Sequence, residues 1–208
     1  PILAGLIVLM LVLAFGLFGQ HLAAWNNEDL DFNVMGMVAE KGQPSIESGH
    51  YFGTDELGRD LFARTVQGTR VSLLVGIVGA AIAVVVGTLY GAVSGFSGGR
   101  TDQIMMRAVD ILMSIPYMFV LILLLVMFGR SMWLLFLGIG LISWLDMARI
   151  VRGQTLTLKN REYIEAARAT GVPGWRIILR HIVPNLLGVV AVYATLLIPL
   201  MILTESFM

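Results

Sequence analysis

The stretch VSLLVGIVGAAIAVVVGTLYGAVSG, residues 71–95, is apolar along its whole length and contains no charged side chain. A helix needs roughly 20 mostly apolar residues to cross the hydrocarbon core of a bilayer, so this stretch predicts a membrane span. The chain is 57% hydrophobic and only 13% charged, with no net charge and no cysteine. The sequence therefore predicts an all-α, polytopic membrane protein. The five predicted spans are residues 1–18, 71–95, 111–128, 132–147 and 186–203.

The connections between these spans carry the basic side chains, whose distribution predicts the orientation of the chain. Nine Lys and Arg residues lie in 96–107 and 149–185, whereas five lie in 20–70 and 129–131. Because cytoplasmic loops are enriched in Lys and Arg, we expect 96–107 and 149–185 to face the cytoplasm. An odd number of spans leads us to expect a sixth span beyond residue 208. The predicted organisation is a first transmembrane helix (1–19), an extracytoplasmic segment (20–70) and a transmembrane domain (71–208).

Three glycines at intervals of four, Gly87, Gly91 and Gly95, form a ridge without side chains in the second predicted span. Such a ridge lets another helix approach closely. We favour packing within one subunit over the alternative of a subunit interface. Pro116 and Pro199 predict breaks or kinks in the third and fifth spans, because proline lacks a backbone N–H and its ring clashes with the preceding turn.

The end of the extracytoplasmic segment predicts a short helix at the membrane interface. Thr54 or Asp55 is a suitable N-cap residue for this helix. Asp55 and Glu56 would then lie in its first turn, where carboxylates interact favourably with the helix dipole. We expect this interfacial helix to lead into the second span.

Two aspartates, Asp110 and Asp146, lie close to the predicted cytoplasmic ends of spans. Carboxylates buried within a span indicate ion or proton pathways. Each of these aspartates, however, has an arginine three residues away, Arg107 or Arg149, and this spacing favours an ion pair on one helix. A proton-driven carrier is therefore the weaker alternative.

The basic connection 159–185 has a pattern that predicts a helix, a turn and a second helix. REYIEAARAT, residues 161–170, contains good helix formers and no helix breaker. Gly171 suits the C′ position, where φ is positive, and Pro173 suits the first turn of a second helix. We expect Pro184 to close this unit before the last span.

The second helix of this unit has a predicted apolar face, since Trp175, Ile178 and Ile182 are spaced at (i, i+3, i+7). The pattern thus predicts a well-folded unit presented to the cytoplasm. The alternative is an amphipathic hairpin that lies on anionic lipid. The side chains that would favour this alternative are Arg168, Arg176 and Arg180.

No pattern in the chain indicates catalysis or a bound cofactor. A P-loop requires Gly-Lys-Ser/Thr, and the only lysines are Lys41, after Glu40, and Lys159, after Leu158. The three histidines have no metal-ligand spacing. Residues 29–40 place acidic side chains as in a calcium loop, but Val34 occupies the position that requires glycine. We therefore predict no catalytic, cofactor-binding or metal-binding residue in this chain.

The run EAARATG, residues 165–171, followed by Pro184, resembles the EAA loop of binding-protein-dependent ABC importer permeases. The ending HIVPN, residues 181–185, departs from the family's usual Ile-x-Leu-Pro and is similar to the peptide and nickel branch. Within that branch the chain is most similar to the C-type permease subunits of oligopeptide transporters. The other runs that carry the resemblance are HYFGTDELGRD (50–60), GGRTD and MRAVD (within 98–110) and SWLDMARIVRG (143–153).

The resemblance implies that the 159–185 segment docks into a groove on a cytoplasmic ATPase subunit and transmits its closure to the spans. The chain would not be an enzyme, because two such ATPase subunits would bind ATP and Mg. It would form half of the translocation pathway in the bacterial inner membrane, in contact with lipid and not with nucleic acid. A second homologous permease subunit and an extracytoplasmic peptide-binding protein would complete the importer.

The substrates implied by the resemblance are oligopeptides, with dipeptides or nickel as the alternative. Close contact between the first helix of the segment and its partner would be permitted by the small side chains of two alanines. The residues expected to couple this chain to the ATPase are Glu165, Ala166, Ala167, Arg168, Gly171, Trp175 and Pro184.

Overall fold

The computed structural model describes residues 2–129 and 132–206. Within these ranges the chain is mostly helical, as predicted, and contains two isolated β-bridges but no strand. Pro1, in the first predicted span, and Arg130, in the predicted connection 129–131, lie outside the described residues. The elements are α1 (Ile2–Leu22), α2 (Val38–Lys41), α3 (Leu61–Ser97), α4 (Gly99–Met113), α5 (Tyr117–Phe128), α6 (Met132–Leu158), α7 (Glu162–Ala169), α8 (Gly174–Ile177), a π-turn (Ile178–Ile182) and α9 (Val183–Ser206).

The chain divides into two compact units, Pro1–Leu74 and Val75–Met208, with the boundary inside α3. In the first unit, α1 is apolar along its length and presents most of its side chains on the surface, as Leu3 and Phe18 do. It is long enough to cross a membrane, in agreement with the first predicted span. An apolar helix that is exposed on most sides is typical of one that faces lipid.

The start of α3 differs from the prediction, because residues 54–60 form a turn rather than a helix. The Asp55 carboxylate accepts hydrogen bonds from the backbone N–H groups of Leu57, at 3.0 Å, and Arg59, at 2.9 Å. Gly58 has a φ of 76°, which a helix cannot contain. The predicted helix with an N-cap at Thr54 or Asp55 is therefore wrong.

Asp60 is the residue that caps α3. Its carboxylate accepts a hydrogen bond from the N–H of Ala63 at 2.7 Å, as an N-cap side chain does three residues before its donor. From Leu61 the helix continues without a break through Val71, where the second span was predicted to begin. The interfacial helix is thus the first part of a 37-residue helix and not a separate element.

Three helical runs in the described chain are long and apolar enough to cross a membrane: α1, α3 and Gly174–Ser206. A fourth is present if α4 and α5 form one bent span. The prediction of five spans is therefore not confirmed. Within the last run, α9 continues through Pro199 to Ser206.

The third predicted span is interrupted, as Pro116 indicated. α4 ends at Met113, α5 begins at Tyr117, and the two are bent by 69°. Pro116 adopts an extended conformation before α5, because proline cannot continue a helix without losing a hydrogen bond. The 12 residues of α5 extend about 18 Å, less than the hydrocarbon core of about 30 Å. A continuous helix over 111–128 is therefore wrong.

α6 extends well beyond the fourth predicted span, which ended at residue 147. It reaches Leu158 and includes Asp146, Arg149 and Arg152. Only its first part is apolar, about 14 residues or 21 Å, which is shorter than the hydrocarbon core. The remainder of α6 carries charged side chains and leads into the 159–185 segment.

The glycine ridge of α3 packs against α6 within this chain. A Cβ on Gly87 would lie 2.6 Å from the Cβ of Met147, and a Cβ on Gly95 would lie 2.8 Å from the Cβ of Thr155. A Cβ on Gly91 would collide with the backbone carbonyl of Ala148. The three glycines therefore bring the backbones of two helices together inside one chain, rather than at a subunit interface.

The core of the second unit lies where α6, α7, α8 and α9 meet. It is built from aliphatic side chains that are nearly or fully buried, and Ala92 of α3 joins them. Because α7 and α8 contribute to it, the 159–185 segment is packed onto the long helices. The principal buried members are Met147, Val151, Ile164, Ile177, Ile178, Ile182, Leu186 and Val190.

Candidate functional site

α7 is the first helix of the 159–185 segment and lies within the predicted range 161–170. The C=O of Arg161 accepts the N–H of Ile164 at 2.9 Å. Glu162 and Glu165 lie in the first turn and Arg168 lies in the last, so these charges complement the helix dipole. The Ile164 side chain is completely buried and fixes α7 to the core.

Gly171 ends α7 in a Schellman motif. Its N–H donates to the C=O of Arg168 at 3.0 Å, and the N–H of Val172 donates to the C=O of Ala167 at 3.1 Å. The φ of Gly171 is 79°, which confirms the predicted positive φ. Apart from the two adjacent residues, no atom of the described chain lies within 4 Å of the position that a Cβ would occupy. The glycine is thus required for the backbone conformation and not for space.

The outer surface of α7 presents Glu165, Ala166 and Arg168, all of which are exposed. Ala167 is half-buried and packs against the core, on the same side as Ile164. Residues three apart share a helix face, so the burial of Ile164 turns Ala167 inward. Of the two alanines predicted to permit close contact by a partner, only Ala166 lies fully on the outer surface.

Phe96, in the last turn of α3, contacts both helical parts of the segment. The Arg168 guanidinium lies over its ring, 4.8 Å from the ring centroid. A Cβ on Gly174 would lie 3.0 Å from the same ring, so the absence of a side chain at Gly174 permits this close approach. The segment is therefore attached to α3 as well as to α6 and α9.

The buried face of the second helix does not include Trp175, which is 61% exposed. Ile178 and Ile182 are buried, so the prediction that Trp175 shares their face is wrong. Gly174 and Ile177 turn inward with them. Trp175 follows Gly174 by about 100° around the helix axis, which places the indole at the surface.

Pro184 does not close the unit, contrary to the prediction. α8 leads through the π-turn into α9 without a break. A proline removes a helical hydrogen bond and clashes with the carbonyl one turn earlier. The wider π-turn, in which the N–H of Val183 donates to the C=O of Ile178, accommodates it. The side-chain amide of Asn185 also donates to the C=O of His181 at 2.6 Å, which satisfies a carbonyl beside the proline.

An ion pair with a nearly buried carboxylate joins α4 to α6. Nε and one terminal nitrogen of Arg152 each lie 2.6 Å from an oxygen of Asp102. The Ser94 hydroxyl donates to the same carboxylate at 2.6 Å, and the Asp102 residue is only 7% exposed. Nearby, the Lys159 ammonium donates to the C=O of Gly95 at 3.0 Å. These contacts connect α3, α4 and α6.

A second ion pair joins the same two helices. Asp110 pairs with Arg149 of α6 at 2.5 Å, and not with Arg107 of its own helix as predicted. Because Arg149 is paired with Asp110, it does not pair with Asp146, and Asp146 has no ion pair within the described part of the chain. Both predicted (i, i+3) pairs are wrong, because α4 and α6 pack with these charges facing each other. We refer to the pairs Asp102–Arg152 and Asp110–Arg149 as the α4–α6 clamp.

In the first unit, a buried histidine connects the loop after α1 to the start of α3. Nδ1 of His50 lies 3.0 Å from a carboxylate oxygen of Asp60, and Nε2 lies 3.5 Å from Asp31. The ring stacks on Trp25 with 4.7 Å between centroids. The backbone N–H of Asn33 lowers the pKa of Asp31 against the effect of burial, and His50 contributes in the same direction. The described residues contain no cluster of His, Asp and Glu suited to a metal ion.

Comparison with known proteins identifies the family of this chain. Residues 83–208, more than half of the chain, match the family described as "Binding-protein-dependent transport system inner membrane component". The chain belongs to this family. The resemblance predicted from the EAARATG run is confirmed, and the matched region contains the glycine ridge, the α4–α6 clamp and the 159–185 segment.

Curated members of the binding-protein-dependent transport family include close relatives of this chain. It is 52% identical over 205 residues to the oligopeptide transport system permease protein OppC of Haemophilus influenzae, covering 99% of this chain and 64% of the relative. It is 54% identical to OppC of Escherichia coli strain K12, covering 99% and 66%. The dipeptide transport system permease protein DppC of Bacillus subtilis is 40% identical, with 99% and 62% covered. The chain thus spans slightly less than two thirds of the length of these relatives.

Four contact residues of this family member could not be assigned from the sequence. Asp102 and Arg152 lie in runs that carried the family resemblance, but 50 residues separate them, and no local pattern predicts their pairing. Phe96 follows the predicted span 71–95 directly, and no local pattern indicates its contacts. Asn185 lies next to Pro184, and this adjacency is the one signal that could have indicated its role.

Proposed function

We propose that this chain is a permease subunit of an ATP-driven importer and forms half of an oligopeptide pathway across the bacterial inner membrane. Its family membership and its 52–54% identity to oligopeptide permeases over nearly the whole chain support this proposal. Oligopeptides are the proposed substrates because the relatives at 52–54% identity are oligopeptide permeases. The two Bacillus subtilis relatives do not separate the substrates, since its oligopeptide permease is 38% identical and its dipeptide permease 40% identical to this chain.

The observation that carries the coupling role is the combination of exposure and rigidity in α7. Glu165 and Ala166 face outward, while Ile164 is buried, the Arg168 guanidinium lies over Phe96, and Gly171 fixes the end of the helix. A partner that grips this surface therefore acts on the core formed with α6 and α9. On the distribution of Lys and Arg, this surface faces the cytoplasm.

The partners proposed for such a subunit are those that its family membership implies. Two cytoplasmic ATPase subunits bind and hydrolyse ATP with Mg, a second homologous permease subunit completes the pathway, and an extracytoplasmic binding protein delivers the peptide.

The ATPase subunits must supply the free energy that switches the pathway between its two conformations. Inverting a 1:99 preference between two pathway conformations takes about 5.5 kcal/mol. Force applied at α7 reaches α4 through α6 and the α4–α6 clamp, and the break at Ser114–Pro116 is the point at which α4 can move relative to α5.

The test is ATP-driven uptake of a labelled tripeptide by proteoliposomes that contain the full-length subunit and its partners. Gly171→Pro, which replaces a residue with a φ of 79°, and Glu165→Lys, which reverses an exposed charge, are expected to reduce uptake at least tenfold. Glu56→Lys makes the same charge change at an exposed position of the first unit and serves as the matched control.

Nucleotide binding by the partner ATPases is measured in parallel and should be unchanged in all three variants. Uptake that persists in Gly171→Pro and Glu165→Lys would contradict the coupling role of α7. Uptake that follows a pH gradient without ATP would instead support a proton-driven carrier. A dipeptide that competes with the tripeptide at much lower concentration would transfer the substrate assignment to dipeptides.

A further inference from the structure

A basic cleft lies between α4 and α6, beside the α4–α6 clamp. Its volume is about 800 Å³. Three arginines line it, of which Arg149 pairs with Asp110 and Arg152 pairs with Asp102, so Arg107 gives the cleft its net positive charge. The residues that line it are Gln103, Met106, Arg107, Asp110, Arg149 and Arg152.

Arg107 is the arginine of this cleft that is left without a carboxylate partner. Arg149 is paired with Asp110, and Arg152 is paired with Asp102. Arg107 makes no ion pair with any residue that the structure describes. Because an exposed guanidinium offers five N–H donors in a planar fork, Arg107 can bind an anionic oxygen group without first breaking an internal contact.

An apolar groove of about 440 Å³ adjoins the basic cleft on the surface of α4. Ile104, Ala108 and Ile111 form its floor, while Gln103 and Arg107 line both the groove and the cleft. Ile104 is 71% exposed and Ile111 is 59% exposed. A ligand that fits the combined site therefore has an anionic head and an aliphatic chain attached to it.

The position of the site along the helices agrees with the depth of lipid headgroups. On α6 the charged residues follow the apolar part of the helix, and on α4 they precede the apolar helix α5. Basic pockets between membrane helices at the cytoplasmic interface are suited to anionic headgroups. Exposed aliphatic side chains that follow Arg107 toward α5, such as Ile111, are suited to the acyl chains that lie below the headgroups.

We propose that the cleft and groove together bind an anionic phospholipid. Its phosphate contacts Arg107 at the mouth of the cleft, and one acyl chain lies along Ile104, Ala108 and Ile111. The charge complementarity of Arg107 favours a lipid with a net negative charge over a zwitterionic lipid. A protein helix packed on the same groove would bury Arg107 and would have to bring its own carboxylate to this point.

The experiment uses the assembled full-length transporter, delipidated in detergent, and follows its thermal unfolding during titration with lipid. A ligand that binds the folded state raises the unfolding midpoint by mass action. The three probes are dioleoylphosphatidylglycerol, dioleoylphosphatidylcholine and inorganic phosphate. We expect the anionic lipid to raise the midpoint at lower concentration than the zwitterionic lipid, and phosphate alone to have no effect.

Arg107→Gln should weaken the apparent affinity for phosphatidylglycerol about fivefold, the effect of one basic residue near a membrane surface. Arg107→Lys, which keeps the charge, should restore most of it. Arg100→Gln is the matched control, because it removes an equal charge from an exposed position of the same helix outside the cleft. Equal responses to both lipids, or equal losses in Arg100→Gln and Arg107→Gln, would overturn the proposal. Full protection by phosphate alone would do the same, since it would indicate a small-anion site.

Discussion

Asp55 illustrates how one side chain fixes a turn that precedes a long helix. Burial acts to raise the pKa of Asp55, but the N–H groups of Arg59 and Leu57 and the guanidinium of Arg64 outweigh it. The pKa is therefore lowered from its ordinary value of 3.8. A lowered folded-state pKa contributes stability that is fully present above pH 3.8 and is lost as the pH falls through the folded value.

Asp55→Asn should therefore lower the thermal unfolding midpoint at pH 7, because it removes the charge while keeping an acceptor for both backbone N–H groups. The difference from the wild type should shrink as the pH is lowered below 3.8, where the wild-type carboxylate also becomes protonated. Glu56→Gln, at an exposed carboxylate beside it, is the control and should change little. A difference that is the same at pH 7 and at about pH 3 would exclude a charge effect.

At the scale of elements, the two pairs of the α4–α6 clamp should differ in their contributions to stability. Asp102 is nearly buried and makes two hydrogen bonds with Arg152 and one with Ser94. The Asp110 side chain is 53% exposed. Hydrogen bonds to a buried charge contribute more than exposed ion pairs, which are screened by solvent.

Asp102→Asn should destabilise the protein by about 2 kcal/mol, which lowers the unfolding midpoint by about 4 to 8 °C. Asp110→Asn should have an effect of about 0.5 kcal/mol or less. Thermal unfolding of the two matched variants in the same detergent measures both. Equal shifts in the two variants would indicate that burial of Asp102 does not determine the strength of its pair.

The helices could be predicted from the sequence wherever local signals determined their ends. The positive φ of Gly171 and the break at Pro116 each depend on the steric properties of a single residue, and the structure confirms both predictions. The start of α3 was misplaced because Asp55 and Asp60 are both good N-cap residues. Only the contact between the Asp60 carboxylate and the N–H of Ala63 distinguishes them.

Tertiary packing decided the features that the sequence could not predict. The partners Asp110 and Arg149 are 39 residues apart in the chain, whereas Arg107 is three residues from Asp110 and was therefore preferred. The exposure of Trp175 follows from the contact of Gly174 with Phe96, which is also distant in sequence. Local periodicity cannot choose among such alternatives when several faces of a helix are apolar.

At the scale of the whole molecule, Trp175 is the most prominent exposed aromatic side chain of the 159–185 segment. It is 61% exposed, and the guanidinium of Arg176 lies 5.3 Å from its ring. Tryptophan is enriched among the few residues that dominate binding at protein interfaces, each of which weakens binding by about 2 kcal/mol or more, about thirtyfold, when it is truncated. Such a side chain suits contact with the proposed ATPase partner.

Trp175→Ala should weaken co-purification of the ATPase subunits about thirtyfold while leaving the unfolding midpoint of the isolated permease nearly unchanged. Tyr193→Ala replaces a partly exposed aromatic residue of α9 and should leave co-purification intact. If the ATPases bind the Trp175→Ala protein as tightly as the wild type, Trp175 is not part of the contact.

The π-turn between α8 and α9 has a consequence for which insertions and deletions this chain tolerates. A π-turn contains one more residue than an α-helical turn, and that residue is held within the wider turn. Deleting one residue from 178–182 would therefore give an α-helical turn, and Ile177 and Leu186 would keep nearly the same faces of the run. The deletion would instead remove the wide turn before Pro184, whose ring would then clash with the carbonyl one turn earlier. The deletion should therefore be tolerated better when Pro184 is also replaced by alanine, and thermal unfolding of the two variants measures the difference.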